Sequence, residues 1–122
     1  MIWLVGCGGI LGAIARFLLG QSINKRTDAP FPIGTWVINL TGSLLLGGLV
    51  VLRLHDGLTE TTWSFWGVGF CGAFTTFSTF GLETVRLIDQ QQKRLALVYV
   101  ISSVLLGLLA ATLGGALVYS FL

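Results

Sequence analysis

Long apolar runs alternate with short polar stretches along this chain. The first run extends from Met1 to about Gln21 and is interrupted only by Arg16. It gives way to Ser22-Ile23-Asn24-Lys25-Arg26-Thr27-Asp28-Ala29-Pro30. Pro32 then suits the first turn of a second helix, where a missing N–H costs little. That second run, about Ile33 to Leu52, closes at Arg53-Leu54-His55-Asp56-Gly57. The third covers about Thr62 to Leu87, opening with Trp63 and Trp66 at an interface and closing at Ile88-Asp89-Gln90-Gln91-Gln92-Lys93-Arg94. Leu95 to Leu122 is the fourth. Each run reaches the roughly 20 apolar residues that cross a bilayer, and none shows the alternation of a barrel strand. The pattern predicts an all-α membrane protein with four transmembrane helices, in one domain over residues 1–122.

Composition narrows the function classes. Hydrophobic residues make up 54% of the 122 positions and charged residues 10%. Mean hydropathy is +0.88. Soluble domains carry about 25% charged residues, so this chain cannot cover itself with a water-soluble surface. Four spans take about 84 positions, which leaves no room for a soluble catalytic domain or a nucleotide-binding fold. The net charge of +2 is scattered and builds no nucleic-acid surface. Cys7 and Cys71 lie inside apolar runs and suggest no disulfide framework. The N-terminus lacks a basic n-region and a small-residue cleavage site, so the first run is expected to be a retained helix. There is no nucleophile–base pair and no metal-ligand cluster, and His55 reads as a solvated turn residue; catalysis is not expected.

With four spans, the N-terminus, second loop and C-terminus share one side. That side carries Arg53; the other carries Lys25, Arg26, Arg86, Lys93 and Arg94. The bias places the first and third loops in the cytoplasm and both ends outside. Seventeen glycines recur, among them the pair Gly8 and Gly12 and the series Gly67, Gly69 and Gly72. Small residues let membrane helices approach closely, and so many of them argue for an oligomer.

Candidate chemistry rests on polar groups within the spans, where they are costly and often functional. Arg16 is either a snorkelled anchor or a fixed positive charge at the mouth of an anion path. The first, second and fourth spans hold no acidic residue to neutralise it. Thr35, Asn39 and Ser43 recur at intervals of four and share one helix stripe; Asn39 either bonds between helices or offers an amide N–H to a dehydrated anion. Four hydroxyls, on Thr75, Thr76, Ser78 and Thr79, crowd the middle of the third span beside Gly72, Phe77 and Phe80. A uniform helix would spread them around its circumference, so a local break is expected there. Carbonyls freed by a break need a partner, a cation such as sodium or water. Phenyl edges carry partial positive charge, so Phe77 and Phe80 can border an anion path. Tyr99 and Ser103 share a face of the fourth span. Glu83 is expected to pair with Arg86 three residues on.

The chain here resembles the small fluoride channels known as Fluc or CrcB proteins. The likeness covers essentially the whole chain. It is carried by Gly8-Gly9-Ile10-Leu11-Gly12-Ala13-Ile14-Ala15-Arg16-Phe17, by Gly34-Thr35-Trp36-Val37-Ile38-Asn39-Leu40-Thr41-Gly42-Ser43 and, most specifically, by Gly69-Phe70-Cys71-Gly72-Ala73-Phe74-Thr75-Thr76-Phe77-Ser78-Thr79-Phe80. The resemblance implies an antiparallel, dual-topology homodimer with two fluoride pores and a third helix broken near its middle. It implies that Phe77 and Phe80 line the pore and that Asn39 donates to fluoride, with Ser78, Thr79, Tyr99 and Ser103 as further pore candidates. It also implies a vestibule charge at Arg16, and a structural sodium ion held at the dimer interface by the backbone carbonyls of Gly72 and Thr75. Phe17 stands where many relatives have Tyr, and Ala73 where many have Gly. The strong basic bias departs from the weak bias of dual insertion, so a heteromeric partner of opposite orientation is a second possibility.

The implied activity is passive export of cytoplasmic fluoride across a bacterial inner membrane. Hydrogen fluoride enters as a neutral acid and ionises in a less acidic cytosol; an open anion path lets the membrane potential expel the ion. A small proton-coupled multidrug-type exporter is the alternative, but it needs a carboxylate in the first helix, where this chain has Arg16. A purely structural assembly subunit would explain the glycines but not the central cluster of hydroxyls and phenylalanines.

Overall fold

Three helices are long and apolar enough to cross a membrane: α1 (Ile2–Asn24), α2 (Ile33–Leu54) and α6 (Lys93–Ser120). A computed structural model describes residues 1–122. The expected third span is divided into shorter pieces. They are α3 (Glu60–Thr62), a π-helical stretch over Trp63–Cys71, α4 (Gly72–Phe74) and, after an interruption, α5 (Ser78–Asp89). Helix α3 is capped by Thr59, whose hydroxyl accepts from the Thr62 N–H at 3.2 Å. The helical ends run past the apolar limits read from sequence. Helix α1 continues through polar Gln21 to Asn24, because hydropathy marks where lipid contact stops rather than where the backbone uncoils. Pro32 sits just before α2, at its N-cap. Asp56 and Gln91 adopt φ of 56° and 63°, the left-handed turns that end α2 and the α5–α6 connection.

Two close helix pairings hold the bundle. Helix α1 lies on the π-helical stretch, with Gly8 and Gly12 against the Phe65 and Phe70 carbonyls and Gly69 against Val5. Helix α2 lies on α6, with Gly47 against the Ala111 carbonyl and Gly114 against that of Leu44. No side chain larger than hydrogen fits where backbone meets backbone, so these glycines set the interhelical distances. The Trp36 indole N–H donates to Ser102 Oγ at 3.1 Å and adds a polar tie between α2 and α6.

A small core forms where α5, α6 and the first loop meet. Leu87, Ala96 and Tyr99 are buried there, with Phe31, Trp36, Phe80 and Leu95 packed around them. Only 18 of the 122 residues are buried in the single chain. Apolar side chains such as Ile10, Ile14, Leu18, Leu97, Ile101 and Leu108 point outward. Such a surface needs hydrocarbon around it, as a multi-pass membrane protein has.

Candidate functional site

The interruption between α4 and α5 organises the site. Phe74 is the last helical residue before it, Thr75 is extended at φ −78° and ψ 156°, and the helix resumes at Ser78. Asn39 of α2 reaches across to this segment. Its Nδ2 donates to the Thr76 carbonyl at 3.0 Å, and its Oδ1 accepts from the Thr76 N–H at 2.9 Å. One carboxamide thus satisfies both backbone groups of a residue that has left the helix. Thr76 Oγ1 in turn accepts from the Thr79 N–H at 3.2 Å and caps α5. Thr75 Oγ1 donates back to the Cys71 carbonyl at 2.9 Å.

The interruption leaves the carbonyls of Gly72, Ala73, Phe74 and Thr75 without their helical donors; two of the four trace to the bonds just described. In an unbroken helix the Gly72 carbonyl would accept from Thr76, and the Thr75 carbonyl from Thr79. Both N–H groups are taken up elsewhere, by Asn39 Oδ1 and Thr76 Oγ1, and no other backbone donor replaces them. Any of these four carbonyls, those of Gly72 and Thr75 among them, could serve a hard cation, which oxygen ligands suit.

Two cavities meet at the interruption. The outer one, about 530 Å³, is lined by Arg16, Gln21, Asn24, Lys25, Thr35 and Thr79 among others, and by no carboxylate. Arg16 has no acidic partner; the one ion pair in the chain is Arg53–Glu60 at 3.8 Å. The inner cavity, about 320 Å³, is walled by Phe77, Phe80, Leu46 and Val104, with Asn39, Ser43, Thr75 and Ser103 as polar members. Thr76 lines both and is the residue they share. Ser103 Oγ is buried with no hydrogen-bond partner, and the second Nδ2 hydrogen of Asn39 has no partner within the chain. Residues with unused donors thus line a cavity that has no carboxylate in its wall.

The structure brings Asn39, Phe77, Phe80 and Ser103 to one cavity and places Arg16 and Thr79 in the outer one. Phe77 is 83% exposed in the single chain, 6.0 Å centroid to centroid from Phe80. Ser78 is exposed at the start of α5. Tyr99 stands apart from the pair it was expected to make with Ser103. It is fully buried, its ring lies 5.0 Å from that of Phe80, and its hydroxyl donates to Glu83 at 3.3 Å. That bond corrects the expected Glu83–Arg86 pair: the Glu83 carboxylate turns inward to Tyr99 while Arg86 is exposed. Lys25, Ser43 and the bridging position of Thr76 were not singled out as site residues from sequence. Ser43 was detectable from the four-residue stripe it shares with Asn39; the Asn39–Thr76 clamp joins segments far apart in the chain and has no local signal.

The family model described as "CrcB-like protein, Camphor Resistance (CrcB)" matches residues 3–115. The chain belongs to the CrcB family. Among curated CrcB-type relatives, the fluoride-specific ion channel FluC 2 of Moorella thermoacetica is 48% identical over 118 residues, 93% of each chain. A protein of the same name from Cutibacterium acnes is 46% identical, covering 96% of this chain and 95% of its own length. That of Clostridium acetobutylicum is 40% identical over 92% of both. These relatives are named as ion channels rather than enzymes.

Proposed function

We propose that this chain is a fluoride-selective channel that lets cytoplasmic fluoride leave the cell passively. The observation that carries the reading is the inner cavity: phenylalanine walls, unused donors on Asn39 and Ser103, and no carboxylate. Arg16 and Lys25 raise the local concentration of anions in the outer cavity. An anion that passes Thr76 exchanges water for amide and hydroxyl donors and for the positive edges of Phe77 and Phe80. Charged donor–acceptor contacts at short range favour a small, hard anion. No covalent step is required. A membrane potential of 100 mV supplies about 2.3 kcal/mol per charge moved, which is enough for export without coupling to protons. The exporter alternative lacks its acidic group, because α1 contains none and carries Arg16 instead.

In this proposal α3 through α5 form one interrupted membrane span, and two chains pair antiparallel in the bacterial inner membrane. The exposed Phe77 and the open carbonyls of Gly72 and Thr75 support the pairing, since both need covering in hydrocarbon. The carbonyls of the two subunits would hold a sodium ion, whose positive charge offsets their partial negative charge at the interface. A heteromeric partner is the second form such an assembly can take.

The test is fluoride release from potassium-loaded liposomes on addition of valinomycin, with chloride release as the comparison. Rapid fluoride release with little chloride release is expected. A folded preparation that releases neither ion, alone or co-expressed with an oppositely oriented relative, would defeat the proposal.

A further inference from the structure

The stripe Thr35, Asn39 and Ser43 places Ser43 one turn beyond Asn39, about 6 Å along the α2 axis. Hydroxyls within helices commonly bond back to the carbonyl four residues earlier. Thr41, Thr84 and Thr112 do so here, at 2.8 to 2.9 Å. Ser43 does not, and it lines the inner cavity together with Ser103. Across from it, α6 presents Gly107, one turn from Ser103 on the same face. A Cβ built on Gly107 would stand 3.8 Å from Ser43 Oγ, in ordinary van der Waals contact. Helix α6 therefore approaches the Ser43 hydroxyl without crowding it, and a small side chain at Gly107 would fit beside it.

We propose that Ser43 is a fluoride ligand: its hydroxyl, with that of Ser103, receives the ion beyond Asn39 and makes the next station of the path. This rests on the fluoride-channel reading above. Two serine hydroxyls from facing helices, both able to donate, compensate an anion that the phenyl edges alone cannot hydrate. The station is assembled from α2 and α6.

The experiment measures fluoride and chloride release from potassium-loaded liposomes for the full-length chain and three variants. Ser43→Ala is expected to slow fluoride release about tenfold, the loss of one hydrogen bond to an ion. Ser43→Thr, which keeps the hydroxyl, is expected to stay near the wild-type rate. Adding Gly107→Ser to Ser43→Ala restores a hydroxyl from the opposite wall and is expected to recover most of the rate. Fluoride release by Ser43→Ala within twofold of wild type overturns the assignment. So does a slow Ser43→Ala that Gly107→Ser does not rescue while Ser43→Thr is equally slow, because packing then explains the loss. A wild-type chain that releases no fluoride defeats the channel reading itself, and is thereby distinguished from failure of Ser43 alone.

Discussion

Replacing Asn39 by Asp changes one NH2 for one oxygen and leaves the size of the side chain unchanged. In the native chain the amide donates to the Thr76 carbonyl at 3.0 Å and accepts from the Thr76 N–H at 2.9 Å. The carboxylate keeps the second bond and loses the first. The Thr76 carbonyl is then unsatisfied, at a cost of about 1–3 kcal/mol, and faces an oxygen instead of a donor. The fluoride path suffers more. A carboxylate at roughly 5 Å from the ion, with an effective dielectric constant near 20, repels it by about 3 kcal/mol. The donor that Asn39 would offer is lost as well. Together these predict a fall in fluoride release of at least about a hundredfold, with a thermal stability loss of about 2 kcal/mol. Liposome flux read with a fluoride electrode measures the first, and a melt followed by circular dichroism in detergent the second. Asn39→Ala is the control without charge: it loses the clamp and the donor and should be impaired less than Asn39→Asp. Fluoride release by folded Asn39→Asp within a few-fold of wild type would refute both the clamp and the donor argument.

Phe80→Ile keeps an apolar wall but removes the positive ring edge, and should abolish fluoride release while the purified protein keeps its assembly state on size exclusion. Arg16→Gln and Lys25→Gln should each slow fluoride release at low ionic strength, Lys25→Gln with the smaller effect because its exposed charge is screened. The difference from wild type should shrink as salt rises past about 0.15 M, where the Debye length is about 8 Å; a salt-independent deficit argues against a field effect. Gly114→Ala drives a methyl group into the Leu44 carbonyl and should destabilise the α2–α6 pairing by about 1–3 kcal/mol, read as a lower melting temperature.

Much of this arrangement is legible in the sequence because hydropathy and small-residue spacing report directly on lipid contact and close packing. The apolar runs mark α1, α2 and α6, and Gly8, Gly12 and Gly69 lie where backbones touch, whereas Gly67 meets only the Trp63 ring and Gly72 meets nothing. Regular helix is interrupted over residues 75–77, within the hydroxyl-rich stretch, and resumes at Ser78. Other features escaped for one physical reason: they depend on which distant group a side chain finds. Glu83 has Arg86 at helical spacing, yet an exposed pair near water gains little, and the hydroxyl of buried Tyr99 needs an acceptor more than Arg86 needs a counter-ion. Tyr99 and Ser103 share a helical face, but Tyr99 is drawn into the core by Phe31 and Phe80, which leaves Ser103 alone at the cavity. The π-helical turn over Trp63–Cys71 has no signature in hydropathy, because widening each turn by one residue barely moves the apolar pattern.

In the proposed assembly, Asn39 and Thr76 would tie the anion path to the carbonyls proposed for sodium through a single set of hydrogen bonds. By accepting from the Thr76 N–H, Asn39 leaves the Gly72 carbonyl without its helical donor. By accepting from the Thr79 N–H, the Thr76 hydroxyl does the same for the Thr75 carbonyl. Each bond that fixes the wall between the two cavities also leaves a carbonyl oxygen without its helical donor. The interruption thus provides unpaired acceptors close to unpaired donors, as the proposed anion and cation sites require, and an unbroken helix would pair them with one another. Sodium binding and fluoride conduction in the proposed assembly are therefore not independent properties. A change at Asn39 that lets Thr76 return to helical bonding removes the acceptor at Gly72 along with the donor in the pore, so both functions should fail together even though Asn39 itself contacts neither carbonyl.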